Sequence, residues 1–166
     1  KYVASAERNR EALLTVLQQI VPAPSTVLEV GSGTGQHAAY FASMLSNITW
    51  LPSDSEETAV ESIAVYRAEA ALPNFKAPLR LDVRRAVWEL PPMAEPLRTV
   101  LAIDLVGAAP WPVCVGLFNG AATVLPEGGR LVLFGSAWPR PLEEMATVAR
   151  SRGLETIDAP ADGWLV

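Results

Sequence analysis

Gly31, Gly33 and Gly35 stand at alternate positions in Gly31-Ser32-Gly33-Thr34-Gly35, directly after a β-rich run and before a helical pattern. Glycine tolerates positive φ and lets a ligand approach the backbone closely. The helix start beyond the loop adds unpaired N–H groups. A dinucleotide pyrophosphate favours G-x-G-x-x-G. Here Gln36 fills the sixth position and the third glycine comes one residue earlier, which gives G-x-G-x-G. A ligand without a pyrophosphate, such as one presenting a zwitterionic amino acid, suits that loop better. Gly31, Ser32, Gly33 and Gly35 are its expected contacts. The competing reading is a glycine-rich turn that binds nothing.

Carboxylates recur near the ends of the neighbouring β-rich runs. Glu29 precedes the loop, where it can accept from a ligand ammonium or simply brace the turn. Asp54 ends the second run, and a carboxylate there can accept from both hydroxyls of a ribose. The alternative for Asp54 is to cap the next helix. Asp82 ends the third run, placed to accept from an adenine amine or to serve as a turn Asp. Asp104 ends the fourth run, on the same rim. It is the candidate for the reaction side, as a base or as a group that orients a substrate amine or hydroxyl. A strand-end residue without chemistry is equally compatible with Asp104. Trp111 is a candidate wall for a substrate pocket, or core. His37, just inside the helix after the loop, reads as a packing or helix-surface residue, and Trp50, Trp88, Trp138 and Trp164 read as packing residues.

Several chemistries are disfavoured by composition. The 166 residues include one Cys and one His, so neither a disulfide nor a Cys- or His-rich metal site is expected. Cys114 reads as a small buried hydrophobe. The net charge of -5 argues against a nucleic-acid-binding face. Residues 105–126 carry no charge but contain Gly107, Pro110, Pro112, Gly116, Asn119 and Gly120, which argues against a membrane span. No secretory signal is visible, and the chain reads as intracellular, a cytoplasmic protein.

The elements that must position these residues follow from periodicity. Helices are expected at 5–20, 36–45, 56–71, 112–125 and 141–152, and strands at 26–30, 48–52, 78–83, 98–105 and 130–135. Residues 154–158 and 164–166 read as a closing pair of strands. Strands alternating with helices imply one α/β domain over 1–166, with a parallel sheet built from right-handed units. Ligands on such sheets bind beyond the carboxyl ends of the strands.

Taken together, Val27-Leu28-Glu29-Val30-Gly31-Ser32-Gly33-Thr34-Gly35 resembles the first motif of class I S-adenosylmethionine-dependent methyltransferases. Leu125-Pro126-Glu127-Gly128-Gly129-Arg130-Leu131-Val132-Leu133 is similar to their turn before strand five. The resemblance implies a Rossmann-like, mostly parallel seven-stranded sheet with helices on both faces, strand order 3-2-1-4-5-7-6, strand 7 antiparallel. It implies S-adenosylmethionine as cofactor.

A narrower match rests on Ala6-Glu7-Arg8-Asn9, Gly35-Gln36-His37-Ala38, Trp50-Leu51-Pro52-Ser53-Asp54, Leu81-Asp82-Val83, Pro110-Trp111 and Pro160-Ala161-Asp162-Gly163. These resemble the uncharacterised methyltransferase family that includes methyltransferase-like protein 26. By that resemblance Arg8 pairs with a carboxylate of cofactor or substrate; the alternative is a solvated helix start. Two departures stand out. Where the family has Asn-Met-Ile-His, this chain has Asp104-Leu105-Val106-Gly107, and the insert after strand five is short.

The function expected is methyl transfer to a small-molecule acceptor. A non-catalytic cofactor-binding module of a protein complex is the alternative from another class, and a nicotinamide-dependent oxidoreductase is a third.

Overall fold

The computed structural model describes residues 2–135, 141–154 and 164–165. The chain opens with an amphipathic helix, α1 (Ala4–Ile20), whose Leu13, Leu14 and Leu17 are buried. Val21, with extended φ and ψ, ends it ahead of Pro22. Strand β1 (Ser25–Val30) follows, buried along its whole length because both its faces are covered. Then come α2 (Gln36–Met44), β2 (Ile48–Asp54) and α3 (Glu57–Ala70). A two-residue strand, β3 (Leu79–Arg80), leads through a long connection to β4 (Leu97–Ile103). A single turn, α4 (Leu105–Ala108), precedes α5 (Trp111–Val124), β5 (Arg130–Phe134), α6 (Leu142–Arg150) and β6 (Trp164–Leu165).

The six strands form one sheet in the order β3-β2-β1-β4-β5-β6. The first five are parallel neighbours, and β6 pairs antiparallel with β5 through Leu133–Leu165 and Phe134–Trp164. This is the Rossmann-like α/β arrangement that the alternation of strands and helices requires. Six strands are described where seven were expected. Residues 155–163, which hold nearly all of the strand expected at 154–158, lie outside the described residues.

Successive side chains of each strand point to opposite faces, so the core is split into two layers. Val27, Trp50, Leu101 and Val132 pack against Leu13, Leu17, Phe41 and Ile63 from α1, α2 and α3. Leu28, Val100, Leu131 and Leu133 pack against Leu117, Phe118, Met145 and Ala149 from α5 and α6. Cys114 is buried in the second layer, as its composition-based reading required.

Two expected strands are shorter than their periodicity suggested. The third, expected at 78–83, pairs with β2 only at Ser53–Leu79 and Asp54–Arg80. Beyond these pairs only the Leu81 N–H bonds β2, at the Asp54 carbonyl (2.9 Å); Leu81 and Val83 are buried by the α5 layer, so their alternation reports packing more than pairing. The fourth, expected to reach residue 105, stops at Ile103, because Asp104 takes a left-handed conformation (φ 54°, ψ 6°) and starts a turn.

Candidate functional site

The switch point of the sheet lies between β1 and β4. The helix after β1 packs on one face and the helix after β4 on the other, which leaves a crevice at the carboxyl ends of the two strands. The glycine loop sits there. Gly31, Gly33 and Gly35 all have positive φ, at 71°, 57° and 89°. Each has a different surround. A Cβ on Gly35 would lie 2.9 Å from the Ile63 backbone, so the loop presses against α3. A Cβ on Gly31 would meet Leu105 at 3.0 Å. A Cβ on Gly33 would meet nothing within 4 Å, so this face of the loop is open.

Every residue between these glycines is anchored. Ser32 is buried and bridges to β2: its N–H donates to the Ser53 carbonyl (2.9 Å) and its Oγ accepts from the Ser53 N–H (3.2 Å). The Thr34 carbonyl accepts from Ser62 of α3 (2.9 Å). Thr34 Oγ1 donates to Gln36 Oε1 (3.1 Å), which also accepts from the Val3 N–H (2.5 Å). The amino end of α1 is thereby tied to the loop.

Asp54 performs two jobs. Its Oδ2 accepts from the Gly33 N–H (2.9 Å) and its Oδ1 from the Glu56 N–H (3.0 Å) at the entry to α3. The capping role expected as the alternative is not met, because Glu56 is the N-cap of α3 and no side chain caps it; Asp54 instead braces the turn ahead of the helix, and its carboxylate stands at the open face of the loop.

Glu29 lies beneath the loop. It is only 2% exposed, and its Oε2 accepts from the Trp50 indole N–H (2.6 Å). Burial pushes its carboxyl up from 4.5 to about 7; the Trp50 and Ser32 hydrogen bonds work the other way, and the Asp54 charge adds to the rise. Of its two expected roles, bracing the turn is the one with contacts.

Asp82 stands two residues beyond β3, in a turn, rather than at a strand end. Arg84 grips it with three side-chain bonds, Nε to Oδ1 (2.8 Å) and to Oδ2 (3.2 Å) and Nη2 to Oδ2 (2.6 Å), plus a backbone N–H to Oδ1 (3.0 Å). These contacts hold its carboxyl well down, at about 2. The turn reading is therefore the one realised, and an adenine amine reaching Asp82 would share it with Arg84.

Asp104 is exposed on the rim, as expected, but past the strand rather than within it. Its N–H donates to the Phe134 carbonyl (2.8 Å), which locks the backbone between β4 and β5. Its charge acts on His37. His37 bonds Asn9 Oδ1 through Nε2 (2.8 Å) and stacks on Phe41 at 5.5 Å between centroids. Burial lowers the His37 pKa from 6.5; Asp104 and the Ala6 backbone partly oppose this. The packing role read for His37 is realised, yet the action of the Asp104 charge on it had no signal in the sequence. Trp111 is half-buried at the first turn of α5 and packs on the core. Arg8 is exposed on α1. Gln36, Thr34 and Ser62 are loop-positioning residues that sequence reasoning missed, because their partners lie on other elements.

Among the described residues, no group of three or more His, Cys, Asp or Glu is placed to hold a metal ion. No helix among them is long and apolar enough to cross a membrane.

The fold recurs in solved structures. The S-adenosylmethionine-dependent methyltransferase SibL, in its apo form, has a TM-score of 0.71 at 18% identity, covering 98% of this chain and 55% of that one. An O-methyltransferase family protein from Burkholderia thailandensis has a TM-score of 0.73 at 13% identity, covering 98% and 56%. A TehB-like SAM-dependent methyltransferase from Corynebacterium glutamicum has 0.67 at 17% identity, covering 98% and 92%. The chain thus spans little more than half the length of the first two. At these identities the likeness establishes a shared fold. Residues 1–139 match the family described as "Protein of unknown function (DUF938)", and the chain belongs to that family.

Proposed function

We propose that this chain is an S-adenosylmethionine-dependent methyltransferase acting on a small-molecule acceptor, with no nucleic-acid or membrane partner. The observation that carries the reading is the glycine loop. Three left-handed glycines close β1, the loop is open at Gly33, and the Asp54 carboxylate is anchored on the Gly33 N–H. The G-x-G-x-G spacing disfavours a pyrophosphate ligand. The fold shared with methyltransferases supports the same reading, as does the resemblance to the family that includes methyltransferase-like protein 26.

The residues present fit the cofactor. Gly31, Ser32, Gly33 and Gly35 would hold its amino-acid part and Asp54 its ribose, the latter releasing or sharing the Gly33 N–H. Asp82 would face the adenine and Arg8 the cofactor carboxylate. Glu29 would act from below, keeping the loop in shape through Trp50 and Ser32. When bound, the cofactor supplies an electrophilic methyl group on a sulfonium. The chain then has to hold the acceptor in line and exclude water, which is a task of positioning more than of proton transfer. Asp104 and Trp111 stand on the acceptor side.

Calorimetric titration with S-adenosylmethionine, with NADH as control, tests this. Saturable binding of S-adenosylmethionine alone is expected, weakened by at least about tenfold (~1.4 kcal/mol) in Asp54→Ala. No binding to the folded protein overturns the reading. Binding without turnover across a broad acceptor panel identifies a non-catalytic cofactor-binding module instead.

A further inference from the structure

Two carboxylates flank the glycine loop. Asp54 stands at its open face, with Oδ2 on the Gly33 N–H (2.9 Å). Glu29 lies beneath it, 2% exposed, with Oε2 on the Trp50 indole N–H (2.6 Å). The Glu29 backbone is tied to the loop as well: its carbonyl accepts from the hydroxyls of Ser53 (2.8 Å) and Ser32 (3.3 Å). The carboxyl is thereby fixed in place relative to the loop.

Burial, and after it the like charge of Asp54, holds the Glu29 carboxyl up at about 7 against the hydrogen bonds from Trp50 and Ser32. Near neutral pH both its protonated and its ionised forms are therefore populated. Other charged and titratable groups on the elements of this core layer have partners of their own. His37 of α2 bonds Asn9 and feels Asp104, Arg10 of α1 pairs with Glu7 and lies over the Tyr40 ring, and Arg67 of α3 donates to the Phe75 carbonyl. The β4 residues of this face, Leu101 and Ile103, are apolar.

In the cofactor reading above, the amino-acid part lies on the loop and the ribose at Asp54. The sulfonium links the two, so its charge comes to rest between the loop and Asp54, beside both carboxylates. A cation there favours the ionised form of a buried carboxyl, because buried charges are weakly screened. The demethylated thioether has the same parts and one positive charge less. Resting on that reading, we propose that Glu29 is a charge sensor beneath the loop, which gives up its proton to water when the sulfonium form binds, keeps it when the thioether form binds, and so makes the thioether the weaker ligand. The preference grows as the pH rises, because binding of the sulfonium form releases a proton.

The test counts protons without turnover. The full chain is titrated calorimetrically with S-adenosylmethionine and with S-adenosylhomocysteine at pH 6.5, where the α-amines of both are protonated, in two buffers of different protonation heat. S-adenosylmethionine is expected to release about 0.2–0.5 of a proton more than S-adenosylhomocysteine, and Glu29→Gln is expected to abolish the difference. Between pH 6 and pH 8 the ratio of the two affinities is expected to rise at least about threefold more in the wild type than in Glu29→Gln. Difference infrared spectra of the wild type give a reading that needs no variant: a protonated-carboxyl band is expected to be lost on binding S-adenosylmethionine and kept on binding S-adenosylhomocysteine. Equal proton release by the two ligands, or a band that persists with both, overturns the inference alone. An excess release that survives in Glu29→Gln overturns the role of Glu29. Failure of both ligands to bind overturns the cofactor reading, and this inference with it.

Discussion

Gly33 and Gly35 sit two residues apart with the same sign of φ, yet substitution is expected to separate them. At Gly35 an added Cβ meets the Ile63 backbone at 2.9 Å, and backbone cannot yield as a side-chain tip can. Gly35→Ala is expected to cost about 2–4 kcal/mol, from strain plus displacement of α3. Gly33→Ala meets open space and is expected to cost only about 1 kcal/mol, for the left-handed backbone. Chemical denaturation of both variants checks the ordering. Equal losses would mean that the loop does not press on α3. Glu29 makes a second residue-level case. Its carboxyl titrates near 4.5 when unfolded and about 7 when folded, so the folded state binds the extra proton between those values. The stability this contributes is fully present below about 4.5 and is lost as the pH rises through about 7. Glu29→Gln keeps a neutral group there and removes that dependence. Urea melts at pH 5 and pH 8 are expected to show the wild type losing roughly 1–3 kcal/mol more than the variant. His37, whose pKa is lowered by burial, acts in the opposite sense, losing stability as the pH falls below 6.5. The comparison with Glu29→Gln cancels its contribution. The glycines and carboxylates were legible in the sequence because their types and spacing carry the signal. The burial of Glu29 was not, because it depends on Trp50, 21 residues away, reaching across from β2.

Helix α5 illustrates how an element's surface is shaped for its neighbour. Its Gly120 faces Trp88 so closely that a Cβ would lie 2.0 Å from the indole, and at Gly116 a Cβ would lie 2.5 Å from the Val83 carbonyl. The connection after β3 therefore lies flat against α5, which is also why Val83 and Leu81 are buried although only the Leu81 N–H still bonds β2, at the Asp54 carbonyl. Gly120→Ala is expected to destabilise the protein by about 1–3 kcal/mol and to shift the tryptophan emission, as the indole is expelled. An unchanged spectrum and stability would show that Trp88 does not pack on Gly120. At the other end of the molecule, Gln36 holds both backbone groups of Val3, accepting from its N–H and donating to its carbonyl. Gln36→Ala is expected to speed hydrogen exchange at residues 3–7 with a global loss of only about 1 kcal/mol, because the buried leucines of α1 stay in place. Exchange in that turn at the wild-type rate would show that Gln36 does not fasten it. Most of these elements were legible as 3.6- or 2-residue periods. The short α4 and the early end of β4 were not, since one left-handed residue at Asp104 decides both.

The two core layers share a single sheet, and that determines how the whole chain unfolds. Phe41 belongs to the α1–α2–α3 layer and Phe118 to the α5–α6 layer, both fully buried. Either layer lost would expose one face of β1 and β4 to water. Unfolding is therefore expected to be one transition, with far-ultraviolet circular dichroism and tryptophan fluorescence coinciding. Trp50 reports one layer and Trp88 the other. Phe41→Ala and Phe118→Ala are each expected to lower stability by about 3–5 kcal/mol without splitting that transition. Separate transitions would mean two independent folding units within the chain.

By itself the sequence determined the α/β class, the position of the glycine loop, the two-sided burial of β1 and the carboxylates near the strand ends. These follow from local pattern: periodicity places elements, and G-x-G-x-G between a strand and a helix requires left-handed backbone. Tertiary structure alone decided what each carboxylate faces. Asp54 meets the Gly33 N–H, Asp82 turns back onto Arg84, Glu29 goes under the loop, and the charge of Asp104 acts on His37. Apart from the local Asp82–Arg84 pair, two residues apart, those outcomes depend on contacts between residues far apart in the chain, and neither periodicity nor spacing encodes the burial and charge that such contacts create.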